Sequence, residues 1–259
     1  MNIFWVVAHP EPRSLTGMLA REGRGSAEEM GHHVRVSDLY AMRWDPVVTG
    51  DDYGHPADER LVVADASRRA YERDGLPADV RAEQEKLRWA DAVVLQFPLW
   101  WFGMPAILKG WVDRVFVEGF AYGVRGPDGR TRRYGDGLLA GKRALVVTTA
   151  GGPSPTFGPR GINGSIEELL FPLLHGVLFY VGADVLPPML VAGADRLTRQ
   201  DGERARAELR DRLSRIGTQE PLPYRAQHGG DYDDRLVLRP HIAPTAQGLA
   251  AHSSCGIPS

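Results

Sequence analysis

Apolar residues along this chain fall into short runs separated by amphipathic stretches, and that alternation sets the expected architecture. Residues 3–8, 34–37, 92–97, 144–149 and 184–190 read as strands. Several are apolar on both sides of the pleat, as parallel strands become when helices cover both faces of a sheet. Helical periodicity occupies residues 14–30, 79–89, 105–117, 165–181 and 199–215. Strands alternating with helices of this length predict an α/β fold, a doubly wound parallel sheet of five strands. Right-handed crossovers then set ligand-binding loops at the carboxyl ends of the strands. Three segments break the pattern. Residues 40–59 form a polar insertion, and 123–141, rich in Gly and Arg, read as a surface loop or hairpin. From Pro221 onward there are four further prolines and no periodicity. The expected organisation is one domain, residues 1–220, with an extended C-terminal tail, 221–259, lying over the domain or over a partner.

Composition narrows the function. The 259 residues are 43% hydrophobic and 25% charged, the balance of an ordinary globular protein. A net charge of −2 gives no electrostatic case for nucleic acid or an anionic membrane as the main partner. No uninterrupted apolar run approaches the roughly 18 residues of a spanning helix. The opening MNIFWVVAHP reads as a first strand rather than a leader, so a cytoplasmic protein is expected. Cys255 is the single cysteine, which excludes an intrachain disulfide and a Cys-based zinc site. There is no H-E-x-x-H and no carboxylate cluster, so no metal is expected. Ser14 lacks the G-x-S-x-G setting of a hydrolase nucleophile. His175, on an apolar helical stretch, reads as a hydrogen-bonded core histidine.

Three loops carry the candidate chemistry. The first strand runs into His9-Pro10-Glu11-Pro12-Arg13-Ser14, where Ser14 is a good N-cap and the free N–H groups of the next turn suit a phosphate. Any doubly wound domain has such a turn, and this loop alone leaves an empty turn and a nucleotide site equally open. After the third strand, Pro98 stops the run, and Leu99-Trp100-Trp101-Phe102 sets bulky rings ahead of the next helix, where a flat ring system could lie. A hydrophobic interface patch is the competing reading. After the fourth strand comes TTAGGPSPTFGPRGINGS, residues 148–165, whose glycines permit close backbone approach. It contains neither G-x-G-x-x-G nor G-x-x-x-x-G-K. The three loops share one edge of the sheet.

The segments SDLYAMRWDPVVT (37–49), AEQEKLRWADAVVLQFPLWWFGMPAILKGWVDRVFVEGFAYG (82–123), TTAGG, GING and the final GLAAHSSCGIPS resemble the long-form NAD(P)H:quinone oxidoreductases, the DT-diaphorase family. The resemblance covers nearly the whole chain. It implies a flavodoxin-like fold, FAD rather than FMN, NADPH or NADH as electron donor, and a homodimer with shared active sites. Ping-pong hydride transfer would pass electrons to a small-molecule, quinone-like acceptor. Carried over position by position, it implies that His9, Ser14, Leu15 and Thr16 hold the diphosphate and ribityl region. Pro98, Leu99, Trp100, Trp101 and Phe102 would line the flavin, with Thr148, Thr149, Ala150 and Gly151 near its pyrimidine side. Arg204 would meet the adenine end. Trp101, Phe102, Tyr122, Val124, Asn163 and Tyr180 would form the acceptor pocket, Tyr122 closing it from the second subunit.

The departures from the family pattern are specific. Where the family carries a tyrosine and a histidine that relieve charge on the reduced flavin, this chain has Phe157 and Asn163. Phenylalanine donates no hydrogen bond, and Asn163 donates one but does not titrate near neutral pH. Together with Gly151 these are the positions set against the reacting ring. A second pocket tyrosine is replaced by Val124. A nitro, azo or specialised-metabolite acceptor therefore stands beside the quinone reading, and a flavin-binding interaction or sensor protein with little turnover stands behind both.

Overall fold

The computed structural model describes residues 1–254; Cys255 and the rest of the closing CGIPS lie outside them. Strands β1 (Asn2–Val7), β2 (His33–Asp38), β3 (Ala92–Pro98) and β4 (Arg143–Ala150) pair in parallel in the order β2-β1-β3-β4. The fifth position is filled by two pieces, β5 (Asp184–Val185) and β6 (Met189–Ala192), both parallel to β4. One continuous strand was expected there. Pro187 and Pro188 have no N–H to donate, so the ladder breaks. Asp184 lies opposite Arg143 but Met189 lies opposite Val147, a slip of one residue that makes a bulge.

The alternation along β1 sorts the core into two layers. Phe4 and Val6 face a layer shared with α2 (Val63–Glu72), α3 (Ala78–Trp89) and α4 (Ala106–Val115). Ile3, Trp5 and Val7 face the other, under α1 (Leu15–Glu29) and α7 (Arg199–Ser214). Helix α2 has no counterpart in the hydrophobic pattern. Its residues are amphipathic at the helical period, but the buried face is only Ala66, Ser67 and Ala70, which gives no apolar run.

Two expectations from the pattern need correction. Residues 165–181 do not form one helix but α5 (Ile166–Leu169), α6 (Phe171–Leu173) and a π-helical stretch, Leu174–Phe179. Pro172 lacks the N–H that a continuing helix needs, and Tyr180 N–H reaches back five residues to His175 O at 3.0 Å. The insertion at 40–59 is also less polar than it reads, since Trp44 and Tyr53 are buried. Arg114 of α4, itself buried, donates to Asp52 Oδ1 (2.7 Å), Asp79 Oδ2 (3.0 Å) and Asp45 O (3.0 Å), with Trp44 4.8 Å beneath it.

The tail lies on its own chain. Leu222 N–H donates to Val185 O (2.7 Å), Tyr224 bridges Ser253, and Arg225 N–H donates to His252 O (3.0 Å). Residues 222–254 thereby cross the broken helix.

Candidate active site

The carboxyl ends of β1, β3 and β4 bring the three loops together through buried polar contacts. Trp5 Nε1 donates to Gln96 Oε1 (2.8 Å), and Gln96 Nε2 donates to Thr16 O (2.8 Å). Thr16 and Thr149 share a hydroxyl hydrogen bond of 2.9 Å, and Leu99 N–H donates to Thr149 O (2.8 Å). Thr148 is wholly buried and gives its hydroxyl to Phe97 O (2.9 Å). The side chains of Thr16, Thr148 and Thr149 are therefore spent on bracing the edge. What these residues can offer a ligand is backbone.

That backbone is well placed. Ser14 caps α1 by accepting from Gly17 N–H at 3.1 Å, while Leu15 and Thr16 N–H, at the start of the helix, have no protein partner among the described residues. Gly17 lets the loop close onto the helix: a Cβ there would stand 2.2 Å from Pro12 O. His9 holds the loop through its own ring, Nδ1 accepting from Glu11 N–H at 3.0 Å, and stands 6.2 Å from the Trp100 ring.

After β3 the chain makes a tight turn in which Trp100 and Gly103 bond each other's backbone in both directions. Its two central residues, Trp101 and Phe102, have φ of 49° and 60°. That left-handed conformation is the habit of Asn-Gly pairs and costs side chains with a Cβ roughly 1–2 kcal/mol each. Both rings point outward: Trp101 is 98% exposed and Phe102 51%. Strain combined with exposure of two large aromatics on a rigid edge marks a site rather than packing.

Beyond β4, Gly151 and Gly152 open a loop that folds on itself. Asn163 Nδ2 donates to Thr156 Oγ1 (2.9 Å), Thr156 Oγ1 to Pro153 O (2.8 Å), and Asn163 N–H to Thr156 O (3.0 Å). Phe157 lies half-buried against Gly152. One amide hydrogen of Asn163 thus holds the loop, leaving one for a ligand. The N–H groups of Trp101, Phe102, Gly151 and Gly152, like those of Leu15 and Thr16, find no acceptor among the described residues. This row of six donors fits a diphosphate at the helix end and the carbonyl edge of an isoalloxazine beside the rings.

A second group of expected residues lies apart from this edge. Tyr122 and Tyr180 are half-buried, and burial raises the Tyr122 phenol above its ordinary pKa. Tyr180 packs edge-on against Tyr134 with ring centroids 4.9 Å apart. Val124 accepts from Arg132 N–H in the 123–141 loop (2.9 Å). No ring contact joins this group to Trp101 or Phe102 among the described residues. The His175 imidazole, expected to be hydrogen-bonded, has no hydrogen-bond partner among them. It stacks on Phe171 (4.5 Å, 13° between planes) with Tyr224 edge-on at 5.0 Å, and burial lowers its pKa to about 4. Surrounding rings, not polar partners, hold it.

A family model described as a flavodoxin-like fold matches residues 1–215. A ribosyldihydronicotinamide dehydrogenase-like protein, traD of Penicillium crustosum, is 46% identical over 98% of this chain and 96% of its own. The human ribosyldihydronicotinamide dehydrogenase [quinone] is 38% identical over 86% and 94%. A crystal structure from Klebsiella pneumoniae, provisionally named as a quinone reductase, is 46% identical, covers 98% of this chain and 99% of that one, and superimposes with a TM-score of 0.93. The chain belongs to the flavodoxin-like quinone oxidoreductases.

Within that family's frame, Arg204 sits on the outer side of α7, exposed and ion-paired with Asp201 in the first turn of its own helix. Arg206 and Arg210, which face α1 through Glu22 and Glu29, are equally occupied. Sequence reasoning missed Asp195. It follows β6, and its Oδ2 stands 2.5 Å from where a Cβ on Gly151 would be, adding an acceptor to an edge made of donors. The strand reading that stopped at residue 190 hid it, because the true end, Ala192, delivers the next loop to the same edge. Among the described residues no group of His, Cys, Asp or Glu is arranged to hold a metal, and no helix is long and apolar enough to cross a membrane.

Proposed function

We propose that this chain is a flavin-dependent NAD(P)H oxidoreductase that reduces a quinone, with FAD as cofactor and two chains contributing to each site. The observation that carries the reading is the row of unpaired N–H groups at Leu15, Thr16, Trp101, Phe102, Gly151 and Gly152, beside an exposed aromatic turn. Bound there, the flavin supplies two-electron transfer from the nicotinamide to the acceptor in two half-reactions that use one pocket.

The chain's own part is positioning and charge. Leu15 and Thr16 N–H meet the diphosphate at the positive end of α1. Gly151 and Gly152 N–H, with the second amide hydrogen of Asn163, donate to the ring edge where negative charge grows, and being fixed they need no reorganisation. Trp101 and Phe102 shed water from the reacting face. Donor and acceptor carbons must come within about 3–3.5 Å of the ring, a demand on wall shape that falls to the aromatic surfaces. The full exposure of Trp101 supports a site completed by a second chain, with Tyr122 and Tyr180 in the completing wall.

Purified protein should carry one FAD per chain, identified by mass after release, and anaerobic NADPH or NADH should bleach it. Added quinone should then restore the colour. Yellow protein that nicotinamide does not bleach would instead be a flavin-binding sensor, and protein that releases FMN would overturn the choice of cofactor.

A further inference from the structure

A cavity of about 490 Å³ opens between the tail and the broken helix, away from the row of backbone donors. Its volume lies in the range of small-molecule sites. Rings of Tyr134, Phe171, His175 and Tyr232 make flat walls, and Arg133 and Arg225 bring two guanidinium groups to it.

The two arginines are not equivalent. Arg225 is spent: it donates to Asp231 Oδ2 (2.5 Å) and Ala251 O (3.1 Å). Arg133 gives only its Nε, to Gln227 Oε1 (2.6 Å), and neither terminal nitrogen has a hydrogen-bond or ion-pair partner among the described residues. Asp136 is close in sequence, yet it accepts the Arg133 backbone N–H (2.7 Å) rather than the guanidinium. His252 Nδ1 is engaged by Tyr232 Oη (2.9 Å), whereas both His175 nitrogens remain free to bond a ligand. The cavity thus offers one uncompensated cation and one unpartnered imidazole between aromatic faces. It adjoins one residue of the expected acceptor pocket: Tyr134 in its wall packs on Tyr180 and donates its N–H to Tyr180 O (2.9 Å).

We infer that this cavity, beside the Tyr180 wall that completes the second chain's flavin site, is a recognition site for the electron acceptor, and that it selects a flat aromatic quinone bearing an acidic group, with Arg133 binding the anion. The inference rests on the oxidoreductase reading above and names its substrate class. A guanidinium with two free nitrogens matches a carboxylate, sulfonate or enolate in a fork, and a half-buried position protects that bond from water. A neutral quinone would leave the cation unpaired.

The test compares kcat/KM of the FAD-loaded protein for 1,4-naphthoquinone and for its 2-sulfonate. The wild type should favour the sulfonate, and Arg133→Leu should lower the sulfonate-to-neutral ratio about tenfold to a hundredfold, the worth of a charge-assisted bond. Gln227→Leu removes the same hydrogen bond without removing the charge or the two free terminal nitrogens, so the ratio should stay within about threefold of wild type. A wild type with no preference for the sulfonate overturns the inference, whatever the variants do. So does a loss in Gln227→Leu as large as in Arg133→Leu. If NAD(P)H fails to bleach the flavin, the oxidoreductase reading has failed instead. If bleaching is normal and the ratio is flat, only the acceptor assignment has.

Discussion

The sheet edge at residues 9–16, 98–102 and 148–152 and the aromatic cluster around Tyr134 and His175 both present themselves to flat molecules, by opposite means. At the edge the ligand-facing groups are backbone N–H donors, and the side chains beneath them, Gln96, Thr16 and Thr149, are buried in mutual hydrogen bonds. In the cluster the ligand-facing groups are side chains, carried by the 123–141 loop, by a helix broken at Pro172 and by a tail that crosses it. Backbone donors fixed by a parallel sheet are indifferent to most substitutions; side chains on a broken helix can be exchanged without touching the sheet. That difference accounts for the pattern in this chain. The departures from the family pattern at Val124, Phe157 and Asn163 are all side-chain exchanges, and none removes a backbone donor from the edge.

The sharpest way to break the edge is Gly17→Ala. The new Cβ would meet Pro12 O at 2.2 Å and Pro12 C at 2.7 Å, both backbone, so the loop must shift off the helix. Purified Gly17→Ala protein should be nearly colourless and less stable by about 1–3 kcal/mol, measured by flavin content and denaturant titration. Normal flavin content would show that the loop does not hold the cofactor. Replacing the strained turn with Trp101→Asn and Phe102→Gly separates strain from function. Stability should rise by about 1–2 kcal/mol as the left-handed conformation becomes native to the residues, while flavin reduction slows about tenfold or more. A variant that loses stability would mean that the exposed rings are packing groups.

Phe157→Tyr with Asn163→His should speed flavin reduction about tenfold in stopped-flow, by supplying the proton relay that the wild type lacks. An unchanged or slower rate would mean that the loop donors already meet the charge. Turning to the cluster, His175 takes a proton near 6.5 when unfolded but near 4 when folded, because burial disfavours the imidazolium. Between those values the unfolded chain binds more protons, so stability is full above about pH 6.5 and falls on acidification, by at most about 3 kcal/mol at pH 4. Melting temperature from pH 7 to 4 should drop less for His175→Phe than for the wild type. The smallest effect is expected for Arg204→Ala. An exposed pair with Asp201 is worth about 0.5 kcal/mol or less, and FAD affinity should change by under about threefold if the arginine stays on the outer side of α7. A larger loss would restore its place at the adenine end.

Much of this was legible along the chain. The period-two and period-3.6 runs placed four of the strands to within a residue or two, because a parallel strand buried on both faces leaves a continuous apolar run that little else produces. Pro98, Gly103 and the Trp-Trp-Phe between them marked the aromatic turn, since turn chemistry is local. What escaped had a faint local signature or none. Helix α2 is amphipathic but buries only alanines and a serine; the fifth strand and the fourth expected helix break at prolines whose effect depends on which donors the neighbours need.

The sequence by itself determined the layered sheet, the edge where its loops meet, and the identity of the rings and glycines there. Each follows from hydrophobic period or from a residue's own conformational range. Only the tertiary structure decided which of those groups are free. Thr148 and Thr149 are consumed by bracing, Arg225 by Asp231 and Arg204 by Asp201, while the terminal nitrogens of Arg133 and the N–H groups of Gly151 and Gly152 are left open. Whether a polar group is spent or available depends on partners distant in the chain, and no pattern of neighbours along the sequence records them.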